Sequence, residues 1–130
     1  MKRKFISQAP LSMDAGLLIL RLISGGLMLS HGWPKLQKIA AGTLEFGDPI
    51  GIGQAPSLFL AVFAEVICSV LVILGLLTRA AVIPLIITMA VAFFIVHGAD
   101  PLGVKELSLI YLGIFLTLFF TGPGKYAIER

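Results

Sequence analysis

The chain has 130 residues, of which 58% are hydrophobic and 13% charged, and its formal net charge is +3. Soluble domains carry roughly 45–50% apolar and about 25% charged residues, so water is the wrong solvent for this chain. The ten Lys and Arg are scattered rather than gathered into a basic stripe, which argues against a nucleic-acid partner.

The charged start Met1-Lys2-Arg3-Lys4 precedes an apolar run that lacks an Ala-x-Ala pattern at its end. A retained first span is therefore expected, not a cleaved signal peptide. It covers residues 15–33, with Ser12 and Asp14 as candidate N-caps. At 1.5 Å per residue, about 19 residues reach about 28 Å, close to the roughly 30 Å hydrocarbon core. Residues 34–56 form the one long connection, rich in Gly and Pro, on the outer side.

The second span is predicted over 57–77, opened by Pro56, and the third over 80–96 after a hinge at Thr78-Arg79, with Pro84 near its first turn. So short a hinge makes these two antiparallel neighbours. Asp100-Pro101 reads as N-cap and first helical residue of the fourth span, 101–121, which Gly122-Pro123-Gly124 stops. The fold class is thus all-α, an integral membrane four-helix bundle. Cys68 is the sole cysteine, so no disulfide forms within the chain.

Basic residues set the orientation. With the N-terminus inside, Lys2, Arg3, Lys4, Arg79, Lys125 and Arg130 are cytoplasmic, against Lys35, Lys38 and Lys105 outside. The positive-inside rule favours this arrangement, with both termini cytoplasmic. The expected location is a membrane, crossed several times.

Charge inside hydrocarbon is expensive, about 2.5–3.5 kcal/mol for Arg, Lys or Asp at a helix centre, so ionisable residues there need partners or a wet cavity. At 100° per residue, Arg21, Ser24, Gly25, Met28, His31, Gly32 and Lys35 share one face of the first helix, and Ala61, Glu65, Cys68, Ser69, Val72 and Leu76 one face of the second. On the third helix Ile86, Ala90, Phe93 and His97 align, and on the fourth Glu106, Ile110, Gly113 and Thr117. These faces predict a polar seam with an outward pocket lined by His31, Lys35, His97 and Glu106, and Glu65 at its floor. An Arg21–Glu65 pair, snorkelling of Arg21 to the cytoplasmic interface and bonds from Arg21 to carbonyls all remain open, because the two residues sit about 9 Å apart along the axis. Each residue also has a plainer reading: Glu65 as a protonated interhelical hydrogen-bonder, the histidines as interfacial caps, Glu106 as a charge favoured by the helix dipole. No metal is assigned; haem or metal ligation lacks any fixed spacing such as His-Glu-x-x-His.

Leu20-Arg21-Leu22, His31-Gly32-Trp33-Pro34-Lys35-Leu36, Glu65, Leu74-Gly75-Leu76-Leu77-Thr78-Arg79, His97, Glu106-Leu107 and Gly122-Pro123-Gly124-Lys125-Tyr126 follow one another in this order. Together they resemble the DoxX family of small bacterial four-helix membrane proteins, over roughly residues 15–128. The chain departs from its relatives at Ala127-Ile128-Glu129, past the last span. The resemblance implies a membrane subunit of a redox complex, quinone-linked or sulfur-linked. His31, Glu65, His97 and Glu106 would then handle protons, and Arg21, Trp33 and Lys35 would bind substrate. Electrons would have to come from a cofactor or a partner chain, since Cys68 cannot cycle alone. A proton-coupled or small-molecule transport or binding protein is the alternative, and a non-catalytic scaffold the third reading. The bilayer is one partner, and a protein partner or a homo-oligomer another.

Overall fold

A computed structural model describes residues 6–129. It contains four helices long and apolar enough to cross a membrane: α1 Met13–Ala40, α2 Gln54–Leu74, α3 Thr78–Val96 and α4 Leu102–Thr121. No strand occurs among the described residues, and the all-α membrane bundle expected from composition is the fold. Lys2, Arg3, Lys4 and Arg130, used above for orientation, lie outside the described residues.

Local chemistry explains the helix ends. Ser12 Oγ accepts the Ala15 N–H at 3.1 Å and caps α1, with Asp14 in the first turn. α1 does not stop before Pro34 but carries it and runs to Ala40, so the helix outlasts the apolar span and the irregular connection narrows to 41–53. A proline removes one N–H; the helix formers after it, Lys35, Leu36, Gln37 and Lys38, continue the ladder. Asp48 Oδ1 accepts from Gly53 N at 2.9 Å and Ser57 Oγ at 3.4 Å, which fastens the loop to the start of α2.

Gly75 ends α2 in the left-handed region, φ 73°, and Leu76 N donates back to Leu71 O at 2.9 Å. The hinge is thus Gly75–Leu77 and not Thr78-Arg79, which already belong to α3. Pro84 lies in the second turn of α3, where Thr88 Oγ1 donates to the Pro84 carbonyl at 2.7 Å. Pro101 rather than Asp100 is the N-cap of α4, which starts one residue later than expected, at Leu102; the Asp100 carboxylate is turned to His97.

α2 is the hub: half of its apolar window is buried, against 22% for each of the other helices. Small and polar side chains make this approach possible. A Cβ on Gly25 would come within 2.6 Å of Ile73 Cγ1, and one on Gly32 within 2.7 Å of Glu65 Cβ, so α1 lies against α2 almost backbone to side chain. Phe115, Leu118, Leu85, Val82, Val72 and Met28 fill the centre. The remaining large apolar side chains, Ile19, Ile23, Phe59, Ile67, Ile87 and Phe120 among them, face outward, the pattern of a lipid-exposed bundle.

Candidate functional site

Arg21 and Glu65, the two mid-span ionisable residues, do not meet. Arg21 is 1% exposed, and its guanidinium donates to four carbonyls: Val72 at 3.0 Å, Ile73 at 2.9 Å, and Pro123 and Tyr126 each at 3.0 Å. Its charge thus satisfies the orphan carbonyls where α2 ends and pins the segment after α4 beneath the bundle. Asp14 Oδ1 accepts from Lys125 N at 2.9 Å, and Ile128 N donates to Leu74 O at 3.1 Å. Both reinforce the same closure at the end of the bundle that carries the termini. Of the fates left open for Arg21, carbonyl bonding is the one adopted, and Arg21 lines neither of the cavities at Glu65.

Glu65 is buried and paired with Lys35, whose ammonium donates to both carboxylate oxygens at 2.7 Å. Because α1 and α2 run antiparallel and side chains tilt toward their own helix N-terminus, Lys35 leans into the bundle while Glu65 leans outward. The same tilt that separates Arg21 from Glu65 brings Lys35 to it. Glu65 lies in a π-helical stretch, Phe63–Cys68, and a second π-helical stretch, Ala92–Val96, leads into His97. Such insertions often mark functional positions. His97 Nδ1 shares a 2.9 Å hydrogen bond with Asp100 Oδ2.

Two cavities meet at this pair. One, of 370 Å³, lies between α2, α3 and the 46–52 loop; the other, of 240 Å³, lies between α1, α3 and α4. Lys35, Glu65 and His97, with Met89 and Ala92, line both. His31 joins the smaller one, its ring edge-on to Tyr111 with centroids 5.8 Å apart. Tyr111 in turn stacks on Phe115. Apolar walls with a few convergent polar groups are the usual make-up of a small-molecule site.

Four of the residues singled out from sequence, His31, Lys35, Glu65 and His97, therefore share one site. Three do not. Glu106 is exposed on the outside of α4, with Ile110, Gly113 and Thr117, since α4 turns Tyr111, Phe115 and Leu118 inward instead. Trp33 is 52% exposed and lines neither cavity, being turned about 100° around α1 from the buried Gly32. Arg21 is at the opposite end. Sequence reasoning missed Tyr111, Ser108 and Met89, although Tyr111-x-x-x-Phe115-x-x-Leu118 carries the spacing of an inward stripe. Cys68 is a single buried thiol, and no trio of His, Cys, Asp and Glu suited to a metal occurs among the described residues.

A multi-pass membrane protein with a charged pair at the junction of two intramembrane cavities is the class that fold and site define. The chain belongs to the DoxX family, whose profile matches residues 16–98. It is 30% identical to the inner membrane protein YqjF of Escherichia coli, over 90% of this chain and 92% of that one. It is 31% identical to a Mycobacterium tuberculosis protein described as an uncharacterized membrane protein, Rv3486, over 87% and 78%. It is 33% identical to a Bacillus subtilis protein named "Putative oxidoreductase CatD", over 91% and 87%. No solved structure matches the chain. Four apolar helices and relatives of this kind make it a multi-pass protein of the bacterial inner membrane.

Proposed function

We propose that this chain is the membrane subunit of an oxidoreductase complex, and that the paired cavities hold the headgroup of a quinone-class acceptor. The observation that carries the reading is the Lys35–Glu65 pair, its carboxylate buried and its lysine half-buried at an apolar cavity that His97 also lines. Such a pair is poor as a stabilising device, because desolvation offsets much of the attraction; as a donor and acceptor set for a reacting group it is useful. Lys35 can donate a proton to a ring carbonyl, with the Glu65 carboxylate holding the ammonium in position. Reduction of a quinone takes two electrons and two protons; the electrons come from a redox centre on a partner chain, and Lys35 and His97 deliver the protons. The name printed for the Bacillus subtilis relative supports the redox assignment.

With the termini in the cytoplasm, the cavities open on the extracytoplasmic half. A transporter would need a path past the Arg21 cluster, where four carbonyls and the C-terminal segment close the bundle. The redox reading needs no such path. Equilibrium binding of decylubiquinone to the protein in nanodiscs tests it. Saturable binding is expected, weakened about tenfold by Lys35→Met through loss of one charge-assisted hydrogen bond. No binding to the wild-type chain, or equal binding by the variant, refutes the assignment.

A further inference from the structure

The larger cavity is also part of the bundle's outer surface. Leu60 on α2 and Ile87 on α3 both line it, yet they are 54% and 57% exposed on the side that meets lipid. A residue that is at once cavity wall and outer surface marks an opening, here a lateral gap between α2 and α3 whose rim is wholly apolar. The axial route is different. Phe46, Pro49, Ile50 and Ile52 of the loop roof the cavity, and Phe46 lies under both Lys35 and Lys38, with ring centroids 5.7 and 5.9 Å from the two ammonium groups. Gln54 and Asp48 tie this roof to the start of α2.

Charge narrows the ligand class further. Of the basic side chains lining the larger cavity among the described residues, Lys35 is paired with Glu65 and His97 with Asp100. A sulfur oxyanion entering the cavity would find the Lys35 ammonium and the His97 ring each already paired with a carboxylate, and burying an unmatched anion is costly. A neutral ring with carbonyl acceptors meets no such penalty.

We infer that the ligand is a neutral amphiphile that reaches the site sideways from the bilayer, through the α2–α3 gap, with its apolar tail left lying across Leu60 and Ile87. This rests on the quinone reading above and adds the route, the place of the tail and the rejection of oxyanions. Leu60→Trp and Ile87→Trp narrow the gap at exposed positions that make no hydrogen bond to the charged pair. In nanodiscs they are expected to weaken decylubiquinone binding about tenfold and to leave the tail-less parent benzoquinone unchanged. A decyl-diazirine analogue is expected to crosslink to α2 and α3 at this rim in the wild-type protein, which holds whether or not the tryptophan variants fold. Thiosulfate is not expected to compete. Equal effects on both quinones, no effect on either, crosslinks confined to α1 and α4, or competition by thiosulfate would overturn the lateral route while leaving quinone binding standing. If the wild-type chain binds neither quinone, the redox reading falls with it.

Discussion

Glycine at position 32 determines how close α1 comes to Glu65. A methyl group there would stand 2.7 Å from Glu65 Cβ and 2.9 Å from its carbonyl carbon, and backbone cannot yield as a flexible side chain can. Gly32→Ala is therefore expected to destabilise the protein by about 1–3 kcal/mol, the usual range for overpacking, and to pull Lys35 off Glu65. Gly26 is the control, since a Cβ there meets nothing within 4 Å. Thermal melts in detergent should show a clear loss for Gly32→Ala and little change for Gly26→Ala; equal melts would mean that the close approach is unimportant. The role of Gly32 was only half legible: its place on the Arg21–Lys35 face follows from 100° periodicity, but its contact with Glu65 depends on the rotation of α2. Lys35 was placed at the mouth of the pocket and Glu65 at its floor. The reach of one long side chain closes that gap, which axial positions alone do not express.

At the scale of elements, α1 and α2 could be read because polar and small residues interrupt otherwise apolar helices. Arg21, Ser24 and Gly25 on one, and Glu65, Cys68 and Ser69 on the other, are all buried. α4 could not be read that way. It is apolar on every side, and its scattered polar residues are satisfied without burial: Thr117 Oγ1 donates to Gly113 O at 2.8 Å within its own helix. The alignment expected on α3, Ile86 with His97, assumes an unbroken 3.6-residue period. The π-helical stretch Ala92–Val96 adds a residue to the turn, so His97, eight positions beyond Met89, takes the place a residue seven beyond would hold in a regular helix. That is how His97 reaches the cavity that Met89 lines. The Arg21 cluster joins three elements, and its removal tests the closure it makes. Arg21→Leu leaves four carbonyls without their donor, and we expect a loss of about 3 kcal/mol, several charge-assisted bonds being partly offset by the relief of a buried charge. The segment after Thr121 should then become open to limited proteolysis. If it stays as protected as in the wild-type protein, the remaining contacts through Asp14 and Leu74 hold it without Arg21.

For the whole molecule, orientation decides which compartment the cavities serve. Six basic residues fall on one side against three on the other, and the fold shows what those on the outer side touch. Lys35 reaches into the bundle to Glu65. The outer side then keeps Lys38, bonded to Glu45 O at 2.8 Å, and Lys105, whose ammonium is 4.5 Å from the Phe93 ring centroid. The count of basic residues on the two sides favours cytoplasmic termini. Impermeant maleimide labelling tests this directly in a Cys68→Ser background, where the lone buried thiol is removed. Thr43→Cys, in the exposed connection after α1, should label in spheroplasts with an intact membrane. Lys125→Cys, exposed at the opposite end, should label only after permeabilisation. The reverse pattern would turn the cavities toward the cytoplasm. Protons for the site would then come from the cytoplasm, and a redox partner exposed on the outer side could not reach it.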